Sequence, residues 1–348
     1  MATDAEPQAG ARPRVGASSC LLGAAVRYDG GHCRSPFLAD VLDRYVDWVA
    51  VCPEVEIGLG VPREPLRLER GEGGDRAVAG SSRADRTDEL RAVADRRSAG
   101  LDRLDGYVLK DASPSCGLFG LPVVEDGDRV GAEGRGAFAA RLTEIRPDLP
   151  VEEQGRLGDP VLRERFVERV FAHARLRTLF DGPAADAADT REPGSGAGGA
   201  AAAEVRWRPR DLVAFHTRHK LQLMAHSPED YRAIGRIVAE AGTRPPQEVR
   251  RDYTAAFTRT LAVRASPGRN VDALQHAFGM IGDLLDRERR RDLLDCVERY
   301  RRGLVPLCAP IALIRHHADA AGAVWVGEQT YLAPFPKDLR LRGSAAAP

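Results

Sequence analysis

The 348-residue sequence predicts two domains: an α/β unit on a Rossmann-like parallel sheet, then an all-α unit. Three observations carry this. Strand-length apolar runs alternate with helical patterns over residues 14–180, and helical periodicity alone fills residues 205–343. Between them, DGPAADAADTREPGSGAGGAAAAE (181–204) holds almost no large apolar side chain. Such a composition cannot bury enough surface to offset ordering its backbone, so it reads as a flexible linker.

RVGASS (14–19) is a strand leading into Cys20. Ser35 and Pro36 form an N-cap and first-turn pair for a helix through PFLADVLDRY. VDWVAV (46–51) reads as a buried strand that stops at Cys52-Pro53. TDELRAVADRRSAGLDRL (87–104) has helical spacing, and DGYVLK (105–110) is a third strand running into DASPSCG with its Cys116. Strands alternating with helices give a parallel sheet. Residues 1–13 read as a disordered leader. They show no apolar stretch behind the first charges and hence no secretory signal, which makes the cytoplasm the expected compartment.

In the second half, RPRDLVAFHTRHKLQLMAH places Leu212, Phe215, His219 and Leu223 on one helix face. Ser227-Pro228 caps the next helix, which ends at Gly242. PPQEVRRDYTAAFTRTLAV forms a third helix, NVDALQHAFGMIGDLLDRERRRDLLDCVERYRRG one or two more, and VPLCAPIALIRHHADA another. The prolines of YLAPFPKDLRLRG predict an extended tail.

Apolar residues at 43% and charged residues at 29% fit a soluble globular chain. No apolar run reaches the roughly 18 residues that a membrane-spanning helix needs. The zero net charge hides an asymmetry: residues 204–348 carry 24 basic and 17 acidic side chains, and the remainder 27 and 34. A basic half suits a polyanionic partner, although drifting surface charge gives the same imbalance.

In a reducing compartment the six cysteines are thiols. Cys20, Cys52 and Cys116 each fall just past the C-terminal end of an expected parallel strand, the edge where open α/β sheets bind ligands. The fold would thus gather three thiols that no short spacing links. They suit a zinc ion with a fourth ligand from elsewhere, or a [4Fe–4S] cluster with one iron left open. Buried core thiols are the plain alternative. Cys33 reads as a bystander, and Cys296 and Cys308 as core.

SSCLLGAAVRYDGGHCR, VAVCPEVEIGLGVPREPLRL and GYVLKDASPSCG resemble the thiouracil desulfidase family, formerly the domain of unknown function DUF523. LVAFHTRHKLQLMAHSPEDYRAIGRIVAEAG, NVDALQHAFGMIG and the stretch from YRRGLVPLCAP to KDLRLR resemble a second such domain, DUF1722. The fusion resembles bacterial desulfidases that remove sulfur from 4-thiouridine in transfer RNA. This resemblance implies a [4Fe–4S] cluster held by Cys20, Cys52 and Cys116, with one iron open to substrate. It also implies catalytic help from the glutamate of CPE, Glu54, and the first serine of SPSC, Ser113. The pattern departs in KDASPSCG, where a basic or serine-like residue is expected near Asp111 or Ala112.

An open iron would bind the soft sulfur of a thiocarbonyl and polarise its carbon for hydrolysis with release of hydrogen sulfide. Glu54 would then serve in acid–base transfer, and Ser113 would hydrogen-bond the pyrimidine or pass a proton. Taken without the resemblance, Glu54 equally suits a helix start and Ser113 a turn.

Binding transfer RNA requires a basic surface. The candidates are Arg218, His219 and Lys220, the cluster Arg289–Arg291, the pair Arg301 and Arg302, and Arg315 with His316. Each alone also reads as a solvated helix face. His216, His219 and His226 have no carboxylate or cysteine at a metal-site spacing, which favours core or RNA-contacting roles. In AVRYDGG (25–31), Arg27 and Tyr28 beside permissive glycines suit a phosphate or base contact, or a simple turn. Two other functions compete: the same chemistry on free thiolated bases or nucleosides, and a zinc- or cluster-bearing binding module without turnover. Glu54 and Ser113 beside the cysteines argue against the latter.

Overall fold

The computed structural model describes residues 12–97, 100, 103–125, 128–182 and 207–343. The leader (1–13) and linker (181–204) lie outside these residues except for Arg12, Pro13, Asp181 and Gly182. The chain forms two compact units, Arg12–Ala174 and the chain from Arg175 onward.

The first unit contains eight strands among its described residues: β1 (Arg14–Ser18), β2 (Asp47–Val51), β3 (Leu66–Glu69), β4 (Arg76–Ala79), β5 (Gly106–Leu109), β6 (Leu121–Glu125), β7 (Asp128–Gly134) and β8 (Val151–Glu153). A parallel sheet runs in the order β2-β1-β5-β8. All four residues of β5 are buried, as befits a strand paired on both sides. Gly16 is required beside it, because a Cβ there would lie 2.2 Å from the Tyr107 ring.

From β1 the chain moves outward to β2, then crosses back to β5 and β8. The direction reverses between β1 and β5, which makes the C-terminal edge there the switch point at which such sheets bind ligands. The three expected strands form close to their expected limits.

Sequence periodicity does not reveal β8 or a second sheet of order β4-β3-β6-β7, whose outer pairs are antiparallel and whose central pair is parallel. Strands as short as LRLE and RAVA carry too few residues for an alternating signal. The helix expected through PFLADVLDRY is instead a π turn, Phe37–Val41, followed by a 3-10 turn, Leu42–Arg44. The helix Pro160–Asp181 also escapes the periodicity, because apolar residues are not confined to one of its faces.

The second unit is all-helical, with helices Pro209–Arg218, Lys220–His226, Pro228–Ala239, Pro246–Ala262, Pro267–Ile281, Arg287–Arg301 and Cys308–Ala320. Ser227, Ser266 and Asp286 cap three of them by accepting from the amides of Asp230, Arg269 and Arg289. Leu221, Leu274, Ile281, Leu293 and Ile314 form its core. Cys296 and Cys308 are half-buried rather than core residues. The tail is not wholly extended: Lys337–Leu339 and Leu341–Gly343 close 3-10 turns, which the flanking prolines permit. No helix among the described residues is long and apolar enough to cross a membrane.

Candidate active site

A cavity of about 370 Å³ opens at the C-terminal edge of the parallel sheet, and Cys20, Cys52, Cys116, Glu54, Ser113 and Lys110 all line it. That volume lies within the range of small-molecule sites, about 300–1,000 Å³. Cys20 occupies the 3-10 turn Ser19–Leu22 directly after β1. Cys52 follows β2, and Pro53 opens a helical turn whose Glu54 and Val55 amides reach back to the Cys52 sulfur.

Cys116 rides on a turn fastened to the start of helix Ala137–Ile145. The amides of Ala137 and Phe138 donate to the carbonyls of Pro114 and Ser115, and that of Gly136 donates to Gly117. Donors at a helix start have no partner within the helix, so the turn satisfies them. A Cβ on Gly136 would lie 2.5 Å from the Ser115 carbonyl carbon, so only glycine lets the turn dock. The Ser18 hydroxyl accepts from the Lys110 amide at 3.0 Å and hydrogen-bonds the Cys116 sulfur.

Burial pushes the Cys20 thiol up to about 11, with the nearby Cys33 and Cys52 adding to the shift and Lys110 and Arg27 opposing it. Burial likewise raises Cys116 further and Cys52. Among the described residues no three His, Cys, Asp or Glu side chains close on a single ion. The three thiols line one cavity from three strand ends, a donor set matched to a polynuclear iron–sulfur group. Such a group would hold them as thiolates and displace their protons.

Glu54 is fixed from both sides. Arg63 Nε donates to its Oε2 at 2.7 Å, and the Ser115 hydroxyl donates to its Oε1 at 2.7 Å. Arg63 also donates to the carbonyls of Gly60 and Val26. Ser113 Oγ accepts from the amides of Ser115 at 3.3 Å and Cys116 at 3.1 Å, which shapes the cysteine turn and leaves the hydroxyl proton to donate into the cavity. Lys110 Nζ donates to the backbone and side-chain oxygens of Asp111. Ala112, at the departure from the family pattern, adopts a φ of +51°.

Sequence reasoning misses Arg63, Ser115 and Lys110. Ser115 has a visible signal, since it precedes Cys116 within SPSC, whereas Arg63 has none. Cys33 does not line the cavity but lies beside Cys20. Its amide donates to the Cys20 carbonyl at 3.0 Å, and its sulfur accepts from Arg27 at 2.6 Å.

The basic candidates of the second unit divide. His219 is no surface contact: it is 1% exposed, stacked on Phe215 at 4.0 Å between centroids, and accepts from Arg175 Nε. Burial holds it well below the usual histidine range, as an uncharged core ring. The His219 assignment is therefore corrected, because its face packs inward with Leu212 and Leu223. His216 and His226 are buried too. Lys220 sits over the Trp325 ring, and Arg218 and Arg315 are half-buried. Arg301 and Arg302 are exposed and share Glu298.

A family model described as 2-thiouracil desulfurase matches residues 15–154, and one described as DUF1722, a protein of unknown function, matches residues 220–336. The chain is 30% identical over 134 residues to the uncharacterized protein YbgA of Escherichia coli, covering 38% of this chain and 79% of YbgA. It is 33% identical over 107 residues to the uncharacterized protein YbbK of Bacillus subtilis, covering 29% of this chain and 70% of YbbK. A solved structure of a [4Fe-4S]-dependent thiouracil desulfidase, TudS, shares 32% identity over 42% of this chain and 93% of its own, with a TM-score of 0.34.

Proposed function

The chain belongs to the 2-thiouracil desulfurase family through residues 15–154 and carries a DUF1722 region at 220–336, and on that premise we propose that it hydrolytically desulfurates 4-thiouridine in transfer RNA with a [4Fe–4S] cluster held by Cys20, Cys52 and Cys116. One observation carries the reading: three thiols, a carboxylate and a hydroxyl line the same cavity at the sheet's switch point. The reaction takes a thiocarbonyl and water to a carbonyl and hydrogen sulfide, with no net electron transfer. When bound, a cluster with an open iron supplies a soft Lewis acid for the thiocarbonyl sulfur.

The chain's own groups manage the protons. Glu54 accepts a proton from the attacking water and returns it toward the departing sulfur, so the water's two protons leave as hydrogen sulfide. Arg63 and Ser115 keep that carboxylate aimed into the cavity. The Ser113 hydroxyl, with its oxygen engaged by two amides, donates to the carbonyl oxygen of the pyrimidine. Pro53 and the apolar wall formed by Val26, Val51 and Leu66 keep bulk water back.

Support for an RNA substrate is coarser. It comes from the basic excess after residue 203, the exposed Arg301 and Arg302, and the resemblance of the fusion to transfer-RNA desulfidases. The family description favours a second reading, in which free thiouracil is the substrate. The test offers the anaerobically reconstituted full chain either bulk bacterial transfer RNA or free 2-thiouracil. Loss of 4-thiouridine from the RNA supports the proposal. Turnover of the free base alone transfers the function to the second reading, and turnover of neither contradicts both.

A further inference from the structure

The geometry points to Tyr28 as the platform on which the thiolated pyrimidine stacks, an inference that rests on the desulfidase reading and specifies how the same site grips its substrate. Tyr28 lines the cavity yet remains 44% exposed, so its ring borders both the thiols' pocket and solvent. An aromatic ring at the lip of a cavity is where a base leaving its stack finds a new face.

The loop that carries Tyr28 is braced for this role. Arg27 lies with its guanidinium carbon 5.5 Å from the Tyr28 ring centroid. That guanidinium is held by both Asp29 oxygens at 3.2 Å and by the Cys33 sulfur at 2.6 Å, so it is not free to swing away. The Arg63 amide donates to the Tyr28 carbonyl at 2.9 Å, and Gly30 and Gly31 close the loop onto Arg27. With one ring face supported by a fixed cation, the opposite face is presented in one orientation. Arg63 therefore ties the platform to the same scaffold that aims Glu54.

The recognised chemistry is a planar heteroaromatic ring whose thiocarbonyl points inward while the sugar stays at the rim. Stacking is indifferent to exocyclic groups, so Tyr28 governs affinity for pyrimidines in general, leaving sulfur selectivity to the thiol end of the cavity.

The test uses the full chain, reconstituted anaerobically, with 2-thiouracil as the turnover probe and equilibrium dialysis of radiolabelled uracil as a binding probe that needs no turnover. Tyr28→Leu is expected to raise KM and the uracil Kd by roughly five- to 150-fold with kcat nearly unchanged. Tyr28→Phe, which keeps the ring, should restore both. A Tyr28→Leu variant with unchanged KM and uracil Kd overturns the inference, as does a loss confined to kcat. Wild-type protein that consumes neither 2-thiouracil nor the 4-thiouridine of bulk transfer RNA defeats the desulfidase reading instead, and the uracil dialysis then still decides the role of Tyr28.

Discussion

Glu54 and Arg63 form a nearly buried ion pair, Nε to Oε2 at 2.7 Å with side chains 14% and 6% exposed, at the wall of a cavity lined by three cysteines. A pair so placed is costly to halve, because the remaining charge is left without its partner. Arg63→Met is expected to destabilise the first unit by about 3–5 kcal/mol, measured by urea unfolding, and to abolish desulfuration. Arg63→Lys should recover part of the stability but lose the link to Val26 and Gly60. Equal stability in Arg63→Met and wild type would show that the pair does not hold the site.

The turn bearing Cys116 depends on Gly136, a residue that does not line the cavity. Adding a Cβ through Gly136→Ala forces the Ser115 carbonyl away from the helix start and shifts Cys116 with it. We expect this variant to fold with its helical content intact, by far-ultraviolet circular dichroism, yet to retain less iron than wild type after gel filtration. Wild-type iron content would mean that the turn docks without that glycine.

The buried His173 sets a pH dependence for the first unit. Burial, its largest influence, pushes its pKa down, but hydrogen bonds to Asp105 at 3.1 Å and Asp148 at 3.4 Å outweigh it, and the net shift is upward. Burial pushes Asp148 up, but its bonds to His173 and Arg146 prevail and hold it well below the carboxylate range. The histidine's contribution is therefore complete below about pH 6.5 and is lost as pH rises through its folded value. The aspartate's contribution is present above about pH 3.9 and is lost on acidification. Urea midpoints should fall from about pH 6 to 8, and His173→Gln should flatten that fall. An unchanged slope in the variant would remove the histidine from the account.

Salt dependence separates surface from core in the second unit. If the exposed pair Arg301 and Arg302 meets phosphates, replacing both with alanine should lower the slope of log affinity against log salt by about 2. His219→Ala should leave that slope unchanged and instead lower the unit's stability by about 1–3 kcal/mol, since Arg175 Nε loses its acceptor. A double variant with the wild-type slope would show that this arginine pair lies off the RNA path.

Much of this site is legible in the sequence because topology, not spacing, gathers it. β1, β2 and β5 carry apolar runs strong enough to be read, and a cysteine follows the end of each. The second sheet is hidden because β3 and β4 have only four residues each, β6 holds a proline, and β7, DRVGAEG, mixes charge and glycine without an apolar alternation. Arg63 is hidden because its ion pair forms across a loop and leaves no periodic trace. His219 shows the converse: a basic string, HTRHK, suggests surface, while the helical spacing of Leu212, Phe215 and Leu223 already places that ring inside.

The most direct test of the central claim is the iron content of the anaerobically reconstituted chain, compared among wild type, Cys20→Ala, Cys52→Ala, Cys116→Ala and Cys33→Ser. Wild type and Cys33→Ser should each hold about four irons per chain and desulfurate, while each alanine variant loses iron and activity together. Full iron content in any of the three alanine variants, or desulfuration by a chain that binds no iron, would contradict the assignment of Cys20, Cys52 and Cys116 as the cluster's ligands.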